Sequence, residues 1–474
     1  MNQPTKKKTK KGMIAASLFL TASIALSGCG GNSGANNGNA GNAGNSPEPG
    51  KAGTGKPVEL VFTFWGSNYE KQAVEKMVDS FNSSHPDIHV TPQHIPGDYE
   101  TKMNTLMATN ELPDVAYLDT PLALKWGKDG KLLNFTPYLD QFPEFNDRLP
   151  QSKLYPEPGN FIGTTIAGDN YNLFYNKDLF AEEGVDLPPV TAEDAWTWDE
   201  FLKVAMQLTK DKNGKHPDEA GFDEKNIVQY GVDFPGDFHG WFPYLRSNGT
   251  DIASEDGKTY TMNSPEAVEV FQSLQDLIYK YHVAPTPTQK KNLPGISVQL
   301  QTKKIAMIHA GAWSLLDLAE TKLNFGVGVL PKFKEPKTGF FGAGAVIFKT
   351  TKHPEAALEF YKFYNDPSQV NLYADGLWMP IEDKYYTDEE AVESWTNNPA
   401  HPPEFKTAAL DYMLKYGEPT PNLTLINYLE LQSQINPALD QIWTNKKPAK
   451  DVLDELKNKV QPLLQGRYSQ TQTK

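Results

Sequence analysis

The residues best equipped for chemistry are aromatic rings set beside carboxylates and amides. Trp65 lies at the end of the β-rich phrase PVELVFTFWG, Ser67 and Asn68 follow it, and Asp119 closes DVAYLD. Asp169 and Asn170 precede YNLFYNKDLF, and Trp313 ends KIAMIHAGAW. GDFHGWFPYLRSNG offers His239 and Trp241, and GLWMP offers Trp378. A flat ring gives C–H groups a face to stack on, while carboxylates and amides give hydroxyls planar acceptors and donors. Together they form the kind of surface a pyranose ring needs. Each residue also has a plainer use. A tryptophan or a packed loop belongs equally in a core, Asp119 fits as the N-cap of a helix beginning at Pro121, and Asp169-Asn170 fits an Asx turn.

Other chemistries find less support. The chain has one cysteine, which rules out an internal disulfide or a cysteine-cluster metal site. His85, His89 and His94 sit in HPDIHVTPQH, a turn entering a strand, which does not converge three imidazoles. DKNGKHPDE (211–219) starts like a calcium loop, but its glycine comes at the fourth position and no terminal Glu fits, so it reads as a solvated turn. Gly342-Ala343-Gly344 lets backbone approach closely, yet a strand follows it and not a helix, so no dinucleotide site is expected. No motif calls for a metal or cofactor. Two acids such as Asp119 and Asp169 would suit a glycoside hydrolase if they lay about 5–10 Å apart, but nothing marks either as catalytic. The formal charge is −14, and five lysines fall within residues 1–28, so the body is more acidic still and repels nucleic acid.

These residues need elements to hold them. PVELVFTFWG, DIHVTPQHI and DVAYLD read as strands separated by helices, one of which puts Ala73, Val74, Met77, Val78 and Phe81 on a single face. Alternating strands and helices imply an α/β fold with a mostly parallel sheet, whose ligands bind at the carboxyl ends of the strands. Those ends are Trp65–Asn68 and Asp119. Farther on, Thr197 and Glu200 form a capping box, Ser264-Pro265 opens a helix, and the C-terminal PAKDVLDELKNKVQPLL is amphipathic.

The N-terminus has its own logic. KKKTKKG precedes an apolar run of 14 residues (13–26), short of the roughly 20 that span a bilayer. It reads as a secretory signal. Leu26-Ser27-Gly28-Cys29 resembles the bacterial lipobox, which implies a signal peptide over 1–28 and lipidation of Cys29. The alternative is an ordinary signal with an incidental cysteine. Residues 30–56 hold nine Gly, six Asn and four Ala and no aromatic. Such a coil spans roughly 30 Å and reads as a flexible tether, 29–56.

The ordered phrases LVFTFWG, LPDVAYLD, NLFYNKDLFAEEGVDLPP, KIAMIHAGAW, FGVGVLP, GAGAVIFKTTKHPEAALEFYKFYNDPSQ and LWMPI resemble the bacterial extracellular solute-binding proteins of carbohydrate ABC importers, the maltodextrin-binding-like family, over 58–464. The resemblance implies a two-lobe, periplasmic-binding-protein-like (type II) fold with a ligand cleft between lobes. Lobe 1 is expected over 57–167 and 338–385, and lobe 2 over 168–337 and 386–468. Hinge crossings are expected near 167–172, 331–339 and 380–390. It implies a non-enzymatic receptor that captures a sugar or oligosaccharide and delivers it to ABC permease subunits. The receptor is expected to be a monomer, held to the outer face of the membrane by lipid alone. Rival readings are a cell-surface glycoside hydrolase and a sugar-sensing subunit for a membrane kinase. By the same resemblance the ligand site comprises Trp65, Ser67, Asn68, Asp119, Asp169, Asn170, His239, Trp241, Trp313, Gly342, Gly344 and Trp378. Relatives often place a further aromatic in the C-terminal helical region, where this chain offers only Tyr428.

Overall fold

A computed structural model of the chain describes residues 56–468. The expected signal segment, Cys29 and nearly all of the tether lie outside the described residues. Among the described residues eleven strands form two sheets, one in each lobe. They are β1 (Val58–Phe64), β2 (Ile88–His94), β3 (Val115–Leu118), β4 (Asp169–Asn176), β5 (Lys210–Asp211), β6 (Ile227–Asp233), β7 (Ile305–Gly311), β8 (Phe325–Gly328), β9 (Thr338–Phe341), β10 (Gly344–Ile347) and β11 (Gly417–Pro419).

The smaller sheet runs β10-β3-β1-β2. β1 pairs in parallel with β2 and β3, and β10 closes the edge antiparallel to β3. The last three residues of β1 are buried on both faces, as a central strand covered by helices requires. The helix Asn68–Ser84 supplies one cover through Val74, Met77, Val78 and Phe81, the face its spacing predicts. Burying such side chains contributes about 1.5–3 kcal/mol each. Rings from three segments lock this lobe, with Phe62 edge-on to Tyr117 and Phe360 at 5.2 Å each.

The larger sheet runs β11-β9-β4-β7-β6-β5, with β8 also on β4. It departs from the expected parallel order. β4 takes β7 antiparallel along one side, and shares its other side between β9 near Asp169 and β8 near Asn176, both antiparallel. The reason is connectivity: β4 enters from the other lobe, with no βαβ crossover to make it parallel to its neighbours. The capping box at Thr197 and Glu200 and the Ser264 N-cap form as read, and Val452, Leu453, Leu456 and Val460 are buried.

Three passages join the lobes side by side. Thr165 bridges to Gly344, and Gly168 bridges to Met379. Gly168 and Met379 exchange both backbone bonds, at 2.9 and 3.0 Å. The second passage lies later than 331–339. Residues 332–334 are tied instead to Trp196 and Ser247 within the larger lobe, and β9 completes the edge of β4.

Candidate functional site

A cavity of about 370 Å³ opens where these passages meet the carboxyl ends of β1 and β3. Its size falls in the range of small-molecule sites. Trp65, Asp119, Asp169, His239, Trp313, Gly342 and Trp378 line it, as do Glu70, Phe341 and Asn422.

Two aromatic groups make its walls. On the smaller lobe, Trp65 stands edge-on to Tyr99 at 4.8 Å and to Tyr117 at 5.5 Å. Trp378 packs edge-on to the same Tyr117 at 5.9 Å. Its φ of 66° is a left-handed conformation that a bulky residue rarely adopts. On the larger lobe, Trp313 stands edge-on to Phe341 at 5.3 Å and to His239 at 5.7 Å. Tyr171 backs this group, stacked on Phe341 at 4.4 Å.

Asp169 does more than face the cavity. Its Oδ1 accepts from the backbone N–H of Ala312 and of Asn170, each at 2.7 Å, and its Oδ2 from that of Trp313 at 3.1 Å. The first residue of β4 thus fixes the turn that carries Trp313. Burial pushes the Asp169 carboxyl up to about 8, against these three donors, which favour the charged form. Asp119 precedes the helix Thr120–Lys128 without capping it through its side chain, and opens to the cavity. Although it is exposed, the protein crowded around it raises its carboxyl to about 6, with His239 pulling the other way. Nδ1 of His239 lies 3.0 Å from Oδ1 of Asp237. Against the desolvation by protein around it, His239 holds the exposed Asp237 below the usual carboxylate range.

Five expected residues lie elsewhere. Ser67 caps the helix Asn68–Ser84 and its hydroxyl donates to Asp317 at 2.9 Å, bridging the lobes at the rim. Asn68 is the exposed first residue of that helix. Asn170 points away from Asp169 by strand alternation and donates to the Ala409 carbonyl. Trp241 is 1% exposed and packs on Phe271 in the core. Gly344 lies in β10, where a Cβ would meet Ala123 and Leu154. Tyr428 packs edge-on to Phe238 and borders a separate hollow beside Pro121. The set-aside groups have local uses: His94 bonds the Gly66 carbonyl, and Asp211 collects the backbone N–H groups of Asn213, Lys215 and Asp223.

Glu70, Phe341 and Asn422 were not legible as site residues. Glu70 carried a signal, since Ser67-x-x-Glu70 after a strand is a capping pattern. Its carboxyl group packs under Gly66, and Oε1 is buried without a hydrogen-bond partner. Burial pushes it up to about 8, with the Ser67 backbone opposing and the Asp317 carboxylate adding. Asn422 accepts from the Thr420 hydroxyl at 2.6 Å.

The sequence model for "Bacterial extracellular solute-binding protein" matches residues 65–371. An arabinooligosaccharide-binding protein of Halalkalibacterium halodurans is 24% identical over 345 residues, covering 68% of this chain and 69% of that one. An sn-glycerol-3-phosphate-binding periplasmic protein of Brucella abortus is 23% identical over 420 residues, covering 84% and 90%. The fold also matches an ABC substrate-binding protein from Listeria monocytogenes in complex with cycloalternan. The TM-score is 0.73 at 22% identity, over 86% of this chain and 99% of that one.

Proposed function

The chain belongs to the bacterial extracellular solute-binding proteins, and from that premise we propose that it captures a sugar or oligosaccharide between two closing lobes and hands it to an ABC permease. One observation carries the choice of ligand: aromatic walls from both lobes face carboxylates across a cavity lined by no lysine or arginine. Rings suit the C–H faces of a saccharide, and acceptors suit its hydroxyls. A phosphorylated ligand, the kind named for the Brucella relative, needs fixed positive charge, which this lining lacks.

On this reading Trp65, Trp313, Trp378 and Phe341 stack on the ligand, while Asp119, Glu70, His239 and Asn422 meet its polar groups. Asp169 positions Trp313, and the backbone at Gly342 approaches the ligand. The lobes divide at 167/168 and near residues 342–343, since β9 bonds into the larger sheet. The third division lies beyond Asp383, since residues 381–383 still bond to 147–149 of the smaller lobe. Cys29 anchors the chain by lipid to the outer face of the membrane, and residues up to 56 form its leash. Among the described residues no helix is long and apolar enough to cross a membrane. The receptor acts as a monomer without covalent chemistry.

Calorimetry and thermal shift over mono- and oligosaccharides test the reading, because a ligand that binds only the folded state raises its melting temperature. Saturable binding with the saccharide recovered intact is expected. Cleavage of the bound saccharide, abolished by Asp119→Asn, would move the chain to the hydrolases. No binding across a broad panel would remove saccharides.

A further inference from the structure

Resting on that reading of the cavity, we infer that the preferred ligand is a cationic saccharide, one whose ring carries a protonated amine held by Glu70 and Asp119 between the two tryptophan walls. The lining has three carboxylates, Glu70, Asp119 and Asp169, one imidazole, and no lysine or arginine. The backbone N–H groups of Asn170, Ala312 and Trp313 occupy Asp169. Glu70 has only the Ser67 backbone beside it: Oε1 is buried with no partner, and Asp317 adds negative charge nearby. Leaving a buried acceptor unmade is costly, and so is keeping a carboxylate charged away from water without a counter-ion.

Three features favour an ammonium group over other ways of settling this balance. Among the described residues no three His, Cys, Asp or Glu side chains converge as metal ligands. The two acids stand past neighbouring strands of one lobe, Glu70 in the first turn of the helix Asn68–Ser84 and Asp119 just past β3, where His239 also acts on it. An amine on a ring held between them donates up to three hydrogen bonds, where a hydroxyl donates one. Trp65 and Trp378 add faces on which a cation is attracted. The imidazole does not compete as the counter-charge to Glu70, because its Nδ1 is engaged by Asp237. Glu70, raised to about 8 in the free protein, holds its proton at pH 7 and releases it when the ammonium arrives.

Calorimetry at pH 7 in buffers of different ionisation enthalpy tests this with matched probes. These are glucose against glucosamine, galactose against galactosamine, and the β-1,4 glucose trimer against its 2-amino and N-acetylated counterparts. The amine is expected to bind at least tenfold more tightly than its hydroxyl partner, with release of about one proton, and N-acetylation is expected to erase the gain. Glu70→Gln brings the amine-to-hydroxyl ratio toward one and abolishes proton release. Asp119→Asn reduces the ratio independently, should the first variant fold poorly. Equal or weaker binding of the amine in every pair that binds overturns the inference and leaves the saccharide reading intact. Silence in all pairs, with binding in the broad neutral panel, has the same meaning. Silence in both removes the saccharide reading itself.

Discussion

Trp313 shows how much of a binding residue lies in its supports. The ring stands edge-on to Phe341 and His239, and its backbone hangs from the Asp169 carboxylate. Trp313→Ala is expected to weaken saccharide binding by about 2 kcal/mol or more, roughly 30-fold. Its unfolding midpoint should hardly move, since the ring is only half-buried; titration calorimetry beside urea melts checks both. Asp169→Asn should lose affinity and stability together. An amide cannot serve three N–H donors as a carboxylate does, and stranding one of them costs about 1–3 kcal/mol. Glu70 adds a pH dependence with a definite sign. Its folded carboxyl titrates near 8 and its unfolded one near the ordinary 4.5. Between those values the unfolded chain has released a proton that the folded chain keeps, so stability falls as pH rises through that window and levels off above it. Melting temperatures of the ligand-free protein from pH 5 to 8 should show the slope, and Glu70→Gln should lessen it, leaving the share that Asp169 and Asp119 contribute with the same sign.

Among the elements, strands and caps were plain in the sequence because period and end signals are local. The helix Asn68–Ser84 buries the face its spacing predicts, and the Thr197 capping box closes as written. Asp119, Asp169 and Trp313 reach the cavity because the ends of β3, β4 and β7 lie there. What was not legible depended on long-range pairing. Trp241 sits two residues from His239 on the same helix, and only packing against Phe271 decides that it turns inward. Phe341 stands in GFFGAG, which reads as a Gly-rich turn until β9 is placed beside the start of β4. The joint between β9 and β10 is the tightest of these places. A Cβ on Gly342 would sit 2.4 Å from the Ala167 carbonyl oxygen, which belongs to the neighbouring passage. Gly342→Ala is expected to force those passages apart, costing about 1–3 kcal/mol in denaturant melts, while alanine at the open Gly97 costs far less.

For the whole molecule, three adjacent passages make a hinge, and Ser67 and Asp317 add a further contact between the lobes. Ligand addition should therefore reduce the radius of gyration in small-angle scattering. An unchanged radius with a ligand that binds would count against closure. Asp317→Ala removes the rim contact and should speed ligand release several-fold more than it slows capture, as stopped-flow rates can show. At the other end of the chain, Cys29→Ala is expected to shed the protein from the membrane fraction or leave its precursor uncut.

The two-walled cavity has a practical consequence. Three of the nine tryptophans, Trp65, Trp313 and Trp378, line it, and they come from both lobes. A ligand entering between them changes the polarity and quenching around a third of the indoles at once. The unlabelled chain is therefore its own optical gauge of occupancy. Replacing the three one at a time would show which wall lights or dims first as the cavity fills.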